Sequence, residues 1–387
     1  MALCDDPAMR PIWGGLRVCL AVVVVLAAAV VACSGSPSAS KSQSKSPQPT
    51  AGAAILIGLS FSPAELNFSA GSNKLYVSEV FPESGATYVV SMSAPGKAPA
   101  RLDESINGFS THIVVNGRLK LGYALIEKPP LAGSPAPGGV VRVFNTDTDT
   151  LISTSTQPSC VAQVLTVNEA SGMVYGGGMS PTGECLIEFD SAGHIVRQAD
   201  VAPLSRTQNR LIQRIETDPA TGDVVYMDPY SVGRADQSLT EKWRTPVPGA
   251  GVPSNTVFTS QGQGNDMGFE PTSGTVYVSV CGAGVIAPAT IAIYDGHTGK
   301  QTGQFTGPGS SSQFAADHDG RLFAVFFNSA DVFVLPNGAS TLTKFATLTD
   351  VAGLSPDDPK WLAVDPVRHR LFVSPGGTAQ SIYLYSY

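Results

Sequence analysis

Seven times along the chain, at nearly even intervals, a turn is followed by an aromatic residue set among aliphatic and β-branched ones. The segments are SNKLYVSEV (72–80), NGRLKLGYAL (116–125), SGMVYGGGM (171–179), TGDVVYMDP (221–229), TSGTVYVSV (272–280), DGRLFAVFF (319–327) and RHRLFVSPG (368–376). Between the anchoring aromatics Tyr76, Tyr123, Tyr175, Tyr226, Tyr277, Phe323 and Phe372 the spacings are 47, 52, 51, 51, 46 and 49 residues. A period of this size marks a repeat architecture in which each unit is one supersecondary motif. Within a unit the order is an apolar strand, a turn holding Gly or Asn, the aromatic strand, a third strand and a hairpin into a fourth. In the fifth unit these are DMGFEP, TVYVSV, TIAIYDG and KQTGQF. Period-two alternation, β-branched enrichment and turn residues at the breaks read as antiparallel strands. No 3.6-residue apolar period runs through the units, so a helical solenoid is excluded. The expected fold is all-β: a seven-bladed β-propeller with four-stranded antiparallel blades.

Two details refine that expectation. Six to eight residues before each anchor aromatic stands Ser69, Asn116, Asn168, Asp218, Glu270, Asp317 or Asp365. These could ring a channel with carboxylates, but acidic and amide side chains at a strand end more simply accept backbone N–H groups of the following turn. The seventh unit ends with SIYLYSY (381–387) as its third strand, while AAILIGLS (53–60) precedes the first unit as an orphan. The N-terminal strand is therefore expected to complete the last blade, closing the ring and covering an open sheet edge.

The turn-plus-(Leu/Val)-(Tyr/Phe)-Val pattern in seven copies resembles the YVTN-type β-propellers of the bacterial envelope, over residues 53–387. The resemblance implies architecture more than activity. Such proteins include adhesins and surface proteins, and more distant seven-bladed relatives include sugar lactonases and quinoprotein dehydrogenase subunits.

The N-terminus carries an apolar run, Val18–Ala32, of signal-peptide rather than membrane-span length, preceded by Arg10 and Arg17. Val30-Val31-Ala32-Cys33 resembles the lipobox of bacterial lipoproteins, which implies acylation at Cys33. Residues 1–32 are thus expected to be a lipoprotein signal peptide, and 33–52 a Ser/Lys/Pro-rich tether too polar to bury. The 19 residues after Cys33 span on the order of 25 Å as a random coil. Asp5 and Asp6 are foreign to a basic leader, and a start at Met9 would avoid them. The expected location is outside the cytoplasm, lipid-anchored to the cell membrane.

Composition narrows the partners. A formal net charge of −7 offers no attraction to phosphate backbones, which sets nucleic acid aside. Of the cysteines that remain after cleavage, Cys160 and Cys185 fall at one end of the third blade and are a candidate disulfide; Cys281 is left over. No metal-ligand spacing, nucleophile elbow, phosphate loop or dinucleotide fingerprint occurs, so no metal or cofactor is expected. Among the histidines, His112 alone is placed in an innermost strand, where it would line the channel. The longest connections, 127–139, 228–237, 247–266 and 281–289, all fall on one face, and long loops on a rigid scaffold serve binding. Glu127, Lys128, Asp228, Tyr230 and Arg234 are candidate contacts there, Tyr230 and Arg234 the foremost because interface energy concentrates in Tyr, Trp and Arg. The leading expectation is a monomeric, non-catalytic propeller that holds an envelope protein or glycan. The alternative is an enzyme of lactonase or quinoprotein-dehydrogenase type with its site at the channel mouth.

Overall fold

The computed structural model describes residues 50–79, 86–106, 111–126, 139–157, 159–201, 212–248, 264–280, 288–309, 312–336, 339–349 and 360–387. The signal-like segment, Cys33, the tether up to residue 49, Glu127, Lys128 and Cys281 lie outside them. The described residues form 28 strands and no helix.

The first strand, β1 (Ile55–Gly58), stands apart in sequence from its sheet. Blade 1 is β2 (Pro63–Ser69), β3 (Lys74–Glu79), β4 (Thr87–Ser91) and β5 (Ala100–Arg101); blade 2 is β6 (Thr111–Asn116), β7 (Leu121–Ile126), β8 (Val140–Asn145) and β9 (Thr150–Thr156). Blade 3 is β10 (Val161–Val167), β11 (Val174–Ser180), β12 (Gly183–Phe189) and β13 (Ile195–Asp200); blade 4 is β14 (Arg214–Thr217), β15 (Val224–Asp228), β16 (Ser231–Ala235) and β17 (Glu241–Pro246). Blade 5 is β18 (Gly264–Glu270), β19 (Thr275–Val280), β20 (Thr290–Asp295) and β21 (Gln301–Thr306); blade 6 is β22 (Ser312–Ala316), β23 (Leu322–Phe326), β24 (Asp331–Leu335) and β25 (Thr343–Thr347). Blade 7 joins β26 (Trp361–Asp365), β27 (Arg370–Ser374) and β28 (Ser381–Ser386) to β1. The seven-bladed reading holds, as does closure by the N-terminal strand: β1 pairs antiparallel with β28, Ile55 opposite Leu384 and Gly58 opposite Ser381.

Burial grades outward across each blade. The second strands are apolar on both sides, β15 and β23 being buried at every residue, whereas the outer strands β9, β13 and β21 alternate toward solvent. A strand buried on both faces reads as a continuous apolar run, and a half-exposed one alternates. The core lies between blades. Its seven apolar clusters each bridge one pair of neighbours, for instance Tyr76, Val89, Ile113 and Phe144 between blades 1 and 2, and Leu75, Val90, Trp361 and Phe372 between blades 7 and 1. All seven anchor aromatics are buried in these clusters, so they are packing residues.

The turn between first and second strands explains the repeated motif. Each turn holds one residue in the left-handed region: Asn73, Lys120, Gly172, Gly222, Gly274, Gly320 and His369, with φ between 48° and 80°. Glycine meets that demand without a Cβ penalty and Asn meets it better than most residues, hence the recurring Gly and Asn. Except in blade 1, where the Ser69 hydroxyl is buried without a partner among the described residues, the polar residues that end the first strand cap these turns. Asn168 Oδ1 accepts from the N–H groups of Ala170 and Ser171, Asp218 Oδ1 from Ala220, Glu270 from Thr272 and Ser273, and Asp365 Oδ1 from Val367 and Arg368. They are turn caps, as the simpler of the two sequence readings had it. Cys160, just before β10, and Cys185 on β12 form a disulfide that ties the inner and third strands of blade 3.

Candidate functional site

The two faces of the ring differ in the length of their connections. On one face lie the turns between first and second and between third and fourth strands, four to eight residues each. The other face carries the second-to-third-strand and blade-to-blade connections. There 127–139, 201–213 and 348–360 run to 13 residues and 247–263 to 17. Two of these, 201–213 and 348–360, were not singled out from the sequence. One expected loop, 228–237, all but disappears: the connection in blade 4 is only Pro229-Tyr230, because 231–235 form β16.

That correction moves two candidate residues. Asp228 is the buried last residue of β15, its Oδ1 accepting from the N–H groups of Tyr230 and Ser231 and its Oδ2 from the Ser231 hydroxyl. Arg234 was expected in a loop beside Tyr230; it is instead a strand residue, 1% exposed. Its guanidinium is turned to the opposite face, where Nε donates to Asp223 (2.8 Å) and the terminal nitrogens to Asp218 (2.6 Å), the Thr221 hydroxyl (2.8 Å) and the Gly296 carbonyl of blade 5 (2.9 Å). A buried arginine survives only with its donors matched to acceptors, and this one is so matched. It is a bolt between blades 4 and 5 with no reach to the loop-bearing face. Tyr230 alone of the pair stays on that face, half-buried, its carbonyl accepting from Val247 N–H.

A second buried group joins blades 3 and 4. Arg244 on β17 is bonded to Glu184 of β12 and to Asp228, and its Nε donates to Ser231 Oγ at 2.7 Å. Burial pushes the Glu184 carboxyl up to about 7, with the Asp228 charge adding and Arg244 opposing.

His112 does lie on an innermost strand, and it has company that went unnoticed in the sequence. Four residues before the polar residue that ends the first strand of each blade stand Glu65, His112, Val164, Arg214, Asp266, Gln313 and Trp361. The polar members reach sideways to the neighbouring blade. His112 Nδ1 lies 2.5 Å from Glu65 of blade 1, and its Nε2 is 3.2 Å from the Leu165 carbonyl of blade 3. Arg214 pairs with Asp266 of blade 5, whose other oxygen accepts from Phe314 N–H of blade 6 at 3.0 Å. Gln313 Oε1 accepts from Leu362 N–H of blade 7 at 2.6 Å. His112 and Glu65 keep 17% and 24% of their side-chain surface accessible, as fits the wall of a narrow axis. Glu216, two residues beyond Arg214 on β14, adds a third carboxylate there, pushed up to about 7 by burial, with Arg214 opposing and Asp266 reinforcing. The signal that could have found this cluster is its constant position in the repeat. Among the described residues no group of three His, Cys, Asp or Glu side chains is placed to hold a metal ion.

No protein family matches the sequence, and no curated protein does either. By structure, 1196 solved chains match, so the fold is too widely shared to name a function. One is a chain from a crystal structure of a mitotic checkpoint complex, with a TM-score of 0.56 and 13% identity, covering 94% of this chain and 99% of that one. The likeness is one of fold.

Proposed function

We propose that the chain is a binding propeller that holds a protein or glycan partner on its long-connection face, anchored by lipid on Cys33 to the outer side of the bacterial cytoplasmic membrane. The observation that carries the binding reading is the asymmetry between faces: connections of four to eight residues on one, up to 17 on the other. That one of the solved chains sharing this fold comes from a complex is consistent with it. The anchor rests on the Val-Val-Ala-Cys signature and the polar stretch behind it.

Two experiments test the parts separately. Replacing 128–138 by a Gly-Ser linker leaves the thermal melt unchanged but abolishes recovery of partners cross-linked to the wild type in its own membranes; equal recovery removes this face as the binding site. Cys33→Ala shifts the protein from the membrane to the soluble fraction, and a variant that still sediments with membranes removes the anchor. A second reading, a hydrolase or dehydrogenase acting at the axis, is favoured only by the presence there of His112, Glu65 and Glu216. Both ring nitrogens of His112 face acceptors on neighbouring blades, and while the ring carries the proton that serves both, neither has a lone pair to act as a base. Turnover of a lactone or an alcohol that is lost in His112→Ala would reverse this preference.

A further inference from the structure

We propose that the charged side chains on the axis form a pH-sensitive lock, which draws blades 1 to 5 together in mildly acidic surroundings and slackens as the pH rises through neutrality. The argument starts from the acceptors around His112. Glu65 on blade 1 and the Leu165 carbonyl on blade 3 both offer oxygen, to Nδ1 and Nε2 respectively. A neutral imidazole has a single N–H, so only the imidazolium donates to both. His112 thus clasps three blades while it carries its proton, and drops one of them when it loses it.

The rest of the cluster pushes the same way. Arg214 of blade 4 and Asp266 of blade 5 neutralise each other, and His112 neutralises Glu65. Glu216 is the surplus carboxylate, sharing a face of β14 with Arg214 by the two-residue strand period. Protonating Glu216 brings the cluster to neutrality; with Glu216 ionised and His112 deprotonated it carries two negative charges in excess. The neighbouring elements offer no other counter-charge. The facing strands β10 and β22 carry no ionisable side chain. On β11 and β15, Tyr175 is beside Glu188, Tyr226 donates to Glu241 and Asp228 holds Arg244. On β7, Tyr123 donates to the Ser191 carbonyl; on β3, Lys74 and Tyr76 hold Asp149, and Glu79 is the last residue of that strand.

The titrations give the window. Burial works against the charge on His112, but Glu65 outweighs it and holds the ring above its usual 6.5. Glu216 is raised from 4.5 to about 7. Both groups have folded values above their unfolded ones, so the stability they contribute is complete at low pH and is lost as the pH climbs through the folded values. For Glu216 the loss runs from about 4.5 to 7, and for His112 it begins above 6.5.

The test is a set of thermal melts of the whole chain between pH 5 and 8.5. Wild-type Tm is expected to fall by about 3 °C or more across that range. In Glu216→Gln the fall is smaller, and the variant gains on the wild type as pH rises; in His112→Gln, Tm is lower than wild type at pH 5.5 and approaches it at pH 8. Curves parallel to the wild type in both variants overturn the proposal. An imidazole NMR titration of wild-type protein gives an independent reading that needs no altered axis. A His112 midpoint above 6.5 supports the lock, and one at or below 6.5 overturns it.

Discussion

The interfaces of blades 3 to 5 and those of blades 6, 7 and 1 occupy equivalent places in the ring yet are held by different physics. Between blades 3, 4 and 5, Arg244 and Arg234 carry full charges into the core, each against two carboxylates. Between blades 6 and 7 the same depth is filled by rings: Phe345 lies 5.4 Å from Phe323 and 5.8 Å from Tyr385, edge to face, and Tyr387 sits 4.7 Å from Phe323. Between blades 7 and 1, Phe68 stacks on Phe372 at 5.1 Å, and Arg370, held by the one carboxylate of Asp365, lies over both rings and donates to Asn73. What the repeat conserves is the space between blades, and either chemistry can fill it. The two differ in tolerance. A buried ion pair costs much desolvation and repays it only with every partner present, whereas aromatic packing loses energy by degrees.

That contrast can be broken by experiment. The largest expected effect is from Arg244→Ala, which strands Glu184 and Asp228 in the core and should lower the unfolding free energy by about 3–5 kcal/mol in chemical denaturation. A loss under 1 kcal/mol would mean water reaches those carboxylates and the seam is not ionic in the sense argued. Next comes Cys160→Ser with Cys185→Ser, which releases a cross-link across 25 residues and should cost about 2–4 kcal/mol. Because the bridge braces the blade that carries Glu184, combining it with Arg244→Ala should give a sum that departs from additivity, while combining it with an aromatic substitution across the ring should not. On the aromatic side, Phe345→Leu should cost less than about 1.5 kcal/mol, since neighbours can close on a similar volume; a loss as large as that of Arg244→Ala would erase the distinction. The smallest effect is local. Glu184 is raised to about 7, so its contribution fades as pH rises from 4.5 through that value. Hydrogen exchange, corrected for intrinsic rate, should therefore be faster at pH 8 than at pH 6 over 183–189 and 224–235 but not over 322–335, and Glu184→Gln should remove the difference.

The repeat, the turns and the closing strand were all readable from the chain because they depend on local chemistry: a left-handed turn residue, a capping side chain, a period of alternation. The ionic bolts were not, because their partners lie far apart in sequence. Glu184 and Arg244 are 60 residues apart, and Arg234 meets Gly296 across 62. Arg234 was misplaced for a related reason. DPYSVGRADQ is polar and rich in turn formers, which is how a loop reads, but a strand can carry Asp and Arg into the core when each finds its counter-charge. Glu65, Arg214, Glu216 and Asp266 were hidden differently: each looks like an ordinary surface charge until the seven inner strands are aligned by their capping residues. Much of the long-connection face, with Glu127 and Lys128, lies outside the described residues.

The pairing of β1 with β28 has a consequence for how the molecule is made. A ribosome delivers Ile55 long before Leu384, so β1 waits for its partner while the strands that lie between them in sequence are made. Six blades can stack as they emerge, but the ring cannot shut until β28 is free to receive β1. Over that interval Ile55, Ile57 and Leu56 present an unpaired apolar edge, the kind of surface on which nascent chains aggregate or exchange strands with one another. Removing β28 takes with it the seat of β1, leaving blade 7 with two of its four strands. Emergence of β28 is thus the step that lets the ring close.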